Sequence, residues 1–171
     1  MGSFTHLHVH TQYSILDGAS NIPNLIAKAK NDGMEAVAIT DHGNMFGVKE
    51  FYNEARAQDI KPIIGCEMYL AEGSRHDKSG KQDRSGYHLV VLAKNLQGYK
   101  NLIKLVSYAW TEGFYYTARI DKELLGKYSE GLIVSSACIG GEIPKTALRY
   151  GKDAAEKVLQ EYLEIFGEDF Y

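Results

Sequence analysis

Along this chain short apolar runs alternate with stretches of helical spacing, and no other feature restricts its possible folds as much. "EAVAIT", "KPIIGCEMYL", "YHLVVLAK" and "GLIVSSA" read as strands, and "SFTHLHVH" alternates like one. Between them, Ile22, Leu25, Ile26 and Ala29 recur at helical spacing behind a Ser20 or Asn21 cap, with Pro23 in the first turn. Val48, Phe51, Tyr52 and Ala55 repeat the pattern. A long helix from Asn95 would carry Tyr99, Leu102, Ile103, Val106 and Trp110 on one stripe, and a shorter helix starts near Asp121. A helical turn follows "GGEIPK", "KDAAEKVLQEYLEIFG" is a last helix, and "EDFY" opens like another strand. Residues 72–86 are polar and glycine-rich and read as a loop. Strand alternating with helix predicts an α/β fold with a parallel sheet, either doubly wound or closed into a barrel.

Composition bounds the function. The 171 residues suit one domain with a real core. No apolar run approaches the ~18 residues that span a bilayer, so no membrane partner is expected. The start carries no basic and apolar leader, and two cysteines make no disulfide framework, so a cytoplasmic setting is expected. A net charge of −3 argues against electrostatic wrapping of duplex DNA, so any nucleic acid would be gripped locally. Neither a "GxGxxG" after the first strand nor a "GxxxxGK[ST]" occurs, which removes the common nucleotide-binding versions of the fold.

In parallel α/β folds, chemistry gathers where strands give way to loops. His8 and His10 close the first strand, and Asp17 lies in the loop behind it. Asp41 and His42 follow the second strand, Glu67 lies near the end of the third, His88 is on the fourth and Cys138 follows the fifth. Side chains two apart on a strand share a face, so His8 and His10 can reach one pocket, with His6 a step deeper in the core. Imidazole, carboxylate and one thiol arriving from successive strands make a metal-site inventory. Each residue alone has a plainer reading: His6 as a hydrogen-bonded interior histidine, Asp17 as a turn residue before Gly18, Asp41 and His42 as loop chemistry, Cys66 and Cys138 as small core residues. His76 reads as solvated, and Tyr115 and Tyr116 as half-buried packing. Convergence on nearly every strand end favours the metal reading.

The stretches "HLHVHTQYSILDG", "AITDHGNMFGVKEFY", "IKPIIGCEMYL", "YHLVVLAKNLQGYKNLIKLVS" and "EGLIVSSACIGGEIP" resemble the PHP (polymerase and histidinol phosphatase) family. Within it they are most similar to the branch forming the N-terminal domain of bacterial DNA polymerase III alpha subunits. The resemblance implies an α/β fold, a distorted (β/α)7 barrel of PHP type covering residues 1–171. Carried over residue by residue, the family's metal ligands fall on His8, His10, Asp17, His42, Glu67, His88 and Cys138. His6 is not carried over. The family completes its site with a late Asp-x-His pair that is absent here, so the chain is expected to be a C-terminally truncated domain, without the last strands and the polymerase domains.

The activity so implied is phosphoester hydrolysis at a centre of two or three ions, as a 3′–5′ proofreading exonuclease. Zinc suits the nitrogen, oxygen and thiolate donors, with manganese or magnesium as alternatives. Such cations lower the pKa of a coordinated water from ~15.7 toward ~7. Glu67, His8 and His10 are the expected catalytic group, Glu67 bridging two ions, with His88 and Cys138 on the neighbouring ion and Asp17 and His42 on a third. The implied partners are single-stranded DNA at its 3′ end and the other subunits of the polymerase III holoenzyme. The parent would be a DNA-directed DNA polymerase, with nucleotidyl transfer in later domains and little activity in this piece alone. Two other readings compete: a metal-stabilised structural or interaction domain of the polymerase, and a free-standing histidinol-phosphatase-like enzyme.

Overall fold

The computed structural model describes residues 4–79 and 85–171; residues 80–84 of the expected loop and Ser3 of the first expected strand lie outside the described residues. The chain divides into two compact units, residues 1–67 and 68–171.

In the first unit, α1 (Ile22–Asn31) begins where Asn21 Oδ1 accepts the Asn24 N–H, with Pro23 in the first turn, where no intrahelical donor is needed. Its apolar face buries Ile22, Ile26 and Ala29. The strand β1 (Ala36–Ile39) is fully buried and pairs in parallel with the first half of β2 (Lys61–Leu70), Ala36 opposite Lys61 and Ile39 opposite Ile64. Between them α2 (Val48–Ala57) buries Val48, Phe51 and Ala55.

The N-terminal segment departs from expectation. It runs beside β1, where Ala38 N–H donates to His6 O and Thr40 N–H to Val9 O, yet it is not a regular strand. Val9 N–H donates to the Thr40 hydroxyl, 31 positions away, rather than to a main-chain carbonyl, so the ladder is interrupted. His6 is exposed, its ring edge-on to Phe4 at 4.8 Å, and not in the core as the alternation suggested.

In the second unit, Tyr69 and Leu70 at the end of β2 pair in parallel with the two-residue strand β4 (Arg119–Ile120), which carries too little pattern to be read from sequence. The strands β3 (Tyr87–Ala93) and β5 (Leu132–Ser135) run antiparallel, so the sheet is mixed rather than wholly parallel. Helix α3 (Leu96–Thr111) starts on the Asn95 side-chain cap. It buries Gly98, Asn101, Leu102, Leu105 and Ala109, leaving Ile103 and Trp110 of the expected stripe exposed. The cause is a close approach: a Cβ on Gly98 would stand 1.7 Å from Gly131 O, and Asn101 Nδ2 donates to Glu130 O.

Helix α4 (Lys122–Lys127) is capped by Asp121, and the expected turn after "GGEIPK" is a full helix, α5 (Glu142–Tyr150), leading into α6 (Lys152–Phe166). "EDFY" forms a 3-10 turn over Gly167–Asp169 and then one parallel bridge, Phe170 beside Val134. Among the described residues no helix is long and apolar enough to cross a membrane.

Candidate metal centre

The first unit gathers five of the expected donors: His8, His10 and His42 surround the Glu67 carboxylate, and Asp17 meets His42. Glu67 lies on β2 where a bridge to His42 continues the parallel register, and its side chain is 2% exposed. Its Oε2 is 2.6 Å from His8 Nε2 and 3.1 Å from His10 Nε2, and the two imidazole nitrogens are 3.2 Å apart. Its other oxygen, Oε1, faces His42 Nδ1 at 3.3 Å, and His42 Nε2 meets Asp17 Oδ2 at 3.0 Å. The His10 and His42 rings stack with centroids 3.9 Å apart.

The loop from residue 11 to 18 makes this possible. Ser14 N–H donates to Thr11 O, and the N–H groups of Asp17 and Gly18 both donate to Ser14 O. A Cβ on Gly18 would lie 1.9 Å from Thr11 O, so only glycine closes this turn and brings Asp17 back to His42. Below it Asp41, 1% exposed, accepts from Thr11 N–H at 2.6 Å, from the Thr11 hydroxyl at 2.7 Å and from the Ser14 hydroxyl at 2.7 Å. These supporting residues were not singled out as a group in the sequence; the only signal was that Asp41 directly precedes His42.

Electrostatics follow the geometry. The hydrogen bond to Glu67 holds the His10 imidazolium, raising its pKa above 6.5 against the opposing effect of partial burial. The hydrogen bond from His42 lowers the Asp17 pKa below 3.8. Burial pushes the Cys66 thiol far up, and its Sγ lies against the carbonyls of Asp41 and Glu67, so Cys66 is an inert core thiol.

The second unit holds the remaining two donors. The antiparallel register of β3 and β5 reaches Val90–Ser135, and beyond it the His88 N–H donates to Gly140 O. Cys138 is exposed, with Sγ 3.5 Å from His88 Nδ1 and accepting the Gly140 N–H at 3.3 Å. Ala137 has φ +61°, a strained value for a residue with a Cβ, and turns the chain so that the thiol faces the imidazole. Tyr69 meets the His88 ring edge-on at 5.4 Å. His76 is exposed and near Glu112 instead, at 3.8 Å.

The donor set fits a divalent cation. The ligand atoms of His8, His10 and Glu67 all lie within 4.8 Å of one another. Corners of a tetrahedron with bonds of ~2.0–2.1 Å are about 3.3 Å apart, close to the two edges that meet at His10, 3.1 and 3.2 Å. Two imidazole nitrogens and a carboxylate oxygen suit zinc and its first-row neighbours.

Donors delivered by the turns after successive α/β elements around one buried carboxylate define the class: an α/β domain with a candidate metal centre. Residues 6–171 match the PHP domain family, and the chain belongs to it. It is 54% identical over 171 residues to the DNA polymerase III subunit alpha of Borreliella burgdorferi, covering 98% of this chain and 15% of that protein. The corresponding proteins of Treponema pallidum and Thermus aquaticus are 51% and 50% identical, covering 99% and 100% of this chain. The chain thus spans about one seventh of the length of these relatives (14% and 15% of the last two).

Proposed function

We propose that this chain is the N-terminal domain of a replicative polymerase of the DNA polymerase III alpha type, and that it hydrolyses phosphodiesters at single-stranded 3′ ends as a metal-dependent exonuclease. The observation that carries the reading is the triangle of His8 Nε2, His10 Nε2 and Glu67 Oε2, with edges of 2.6, 3.1 and 3.2 Å. Identity of 54% to a polymerase III alpha subunit supports the parentage, and with it the holoenzyme subunits as partners and the cytoplasm as the place of work.

His8, His10 and Glu67 would hold one cation through the atoms that already converge, and His42 and Asp17, which meet through His42 Nε2, are proposed as ligands of another. His88 and Cys138 are proposed as a further ligand pair, and zinc as the metal, on the mix of nitrogen, oxygen and sulfur donors. The bound cation supplies Lewis acidity, acidifying water and neutralising phosphate charge. The chain's residues do the rest: Glu67 supplies a carboxylate in a buried position, and His42 fixes the Asp17 carboxylate by a hydrogen bond.

The test is release of 3′-terminal nucleotides from single-stranded DNA by the full-length polymerase with added Zn2+ or Mn2+. Release that disappears in Glu67→Ala is expected. Metal retention without cleavage, or cleavage untouched by Glu67→Ala, overturns the nuclease reading.

A further inference from the structure

His10 meets a hydroxyl through its far nitrogen: Nδ1 stands 3.3 Å from Ser14 Oγ, while Nε2 faces Glu67. What Ser14 can offer is decided by its other neighbours. Its Oγ lies 2.7 Å from Asp41 Oδ1, a buried carboxylate oxygen that can only accept, so the Ser14 proton goes to Asp41. The His42 backbone N–H donates to the same Oγ at 3.1 Å. With its proton committed, Ser14 can meet His10 only as an acceptor, and Nδ1 must carry hydrogen. Without a cation, Nε2 donates to Glu67 Oε2; when a cation takes the place of that hydrogen, the lone pair of the ring is on Nε2, beside Glu67 Oε2 and His8 Nε2.

We propose that Ser14, oriented by Asp41, is a positioning residue that fixes the Nδ1–H tautomer of His10 and so aims its Nε2 lone pair at the metal position. The inference rests on the metal reading above and adds the group that makes His10 a ligand through Nε2 rather than through either nitrogen. Asp41 also anchors Thr11 through its backbone N–H and its hydroxyl, so one carboxylate sets the ring's tautomer and the course of the loop that carries Ser14. Because Ser14 Oγ also receives the His42 N–H, the same hydroxyl ties the backbone of His42, whose ring stacks on His10. Partners of this kind, which orient a ligand without touching the metal, typically contribute 10–100-fold to affinity.

The experiment is long-range 1H–15N correlation of the histidine rings in the 171-residue chain, with and without Zn2+, joined to Zn2+ titrations. The wild type should show a protonated Nδ1 at His10 and a zinc-dependent shift at its Nε2. Ser14→Ala should weaken Zn2+ binding at least about 10-fold and give His10 a mixed tautomer pattern, with the His8 signals keeping their form. Asp41→Ala, which removes the Oδ1 acceptor and frees the Ser14 proton for His10, should move the His10 hydrogen from Nδ1 toward Nε2. Should Ser14→Ala fail to fold, the wild-type spectrum still decides. A hydrogen on His10 Nε2 with zinc at Nδ1 overturns the relay alone. Zinc that perturbs no imidazole overturns the metal reading beneath it.

Discussion

Arg75 and Asp121 show how single residues of the second unit carry structural weight. The Arg75 guanidinium places one nitrogen 3.0 Å from both Asp121 oxygens and another 2.8 Å from Glu112, while Arg75 N–H also donates to Asp121. Asp121 in turn caps α4 through the Leu124 N–H. Both side chains are buried, so removing one leaves the other charged and unmatched. Arg75→Ala should cost about 3–5 kcal/mol in denaturant unfolding. For Asp121, burial opposes the charged form, but the Arg75 and Leu124 N–H groups and the guanidinium outweigh it and hold its carboxyl below 3.8. A folded-state value below the unfolded one means the stabilisation is present above pH 3.8 and lost as pH falls through the lower, folded value. Acid titration by circular dichroism should therefore show a steep loss of stability below that pH, shallower in Asp121→Asn. At this scale the sequence disclosed residue types and spacing, including the start of a helix at Asp121. It did not disclose that Arg75, 46 positions away, is the partner, because nothing local connects them.

Helix α3 makes the same point for an element. Its existence and its start at Asn95 were legible, because a side-chain cap and apolar spacing are local. Its buried face was not. Tyr99, Leu102, Ile103, Val106 and Trp110 form the most hydrophobic stripe, yet the helix turns Gly98, Asn101, Leu105 and Ala109 inward along with Leu102. Backbone contact at Gly98 with Gly131 favours close approach over side-chain size, and it sets the helix's rotation about its axis. Gly98→Ala would normally gain about 1 kcal/mol of helix propensity. Here it should lose stability by about 1–3 kcal/mol through overpacking, read by thermal or urea unfolding. Leu102→Ala should cost about 2–5 kcal/mol, whereas Trp110→Ala, with the indole 46% exposed, should cost clearly less. A larger loss at Trp110 than at Leu102 would contradict this placement of the helix.

For the whole molecule, metal binding and folding are linked. A cation that binds only the folded chain stabilises it by RT ln(1 + [L]/Kd), about 2.7 kcal/mol at a hundredfold excess over Kd. Zn2+ should therefore raise the melting temperature of the wild-type chain in calorimetry, a chelator should reverse the rise, and Glu67→Ala should abolish it. A wild-type melting curve indifferent to zinc would count against the proposed site.

By itself the sequence determined the order of the elements, most of their boundaries, the family and the residue types able to bind metal. Those follow from periodicity, capping and motif spacing, which are properties of neighbours along the chain. Only the tertiary structure decided that the N-terminal segment would pair loosely with β1 and leave His6 outside, that β5 would run against β3 and bring Cys138 to His88, and that Asp41 would govern Ser14 and through it His10. Each of these is a choice of hydrogen-bond partner or direction between segments remote in sequence. Such choices are settled by which polar groups find partners when the chain packs, information that no local pattern contains.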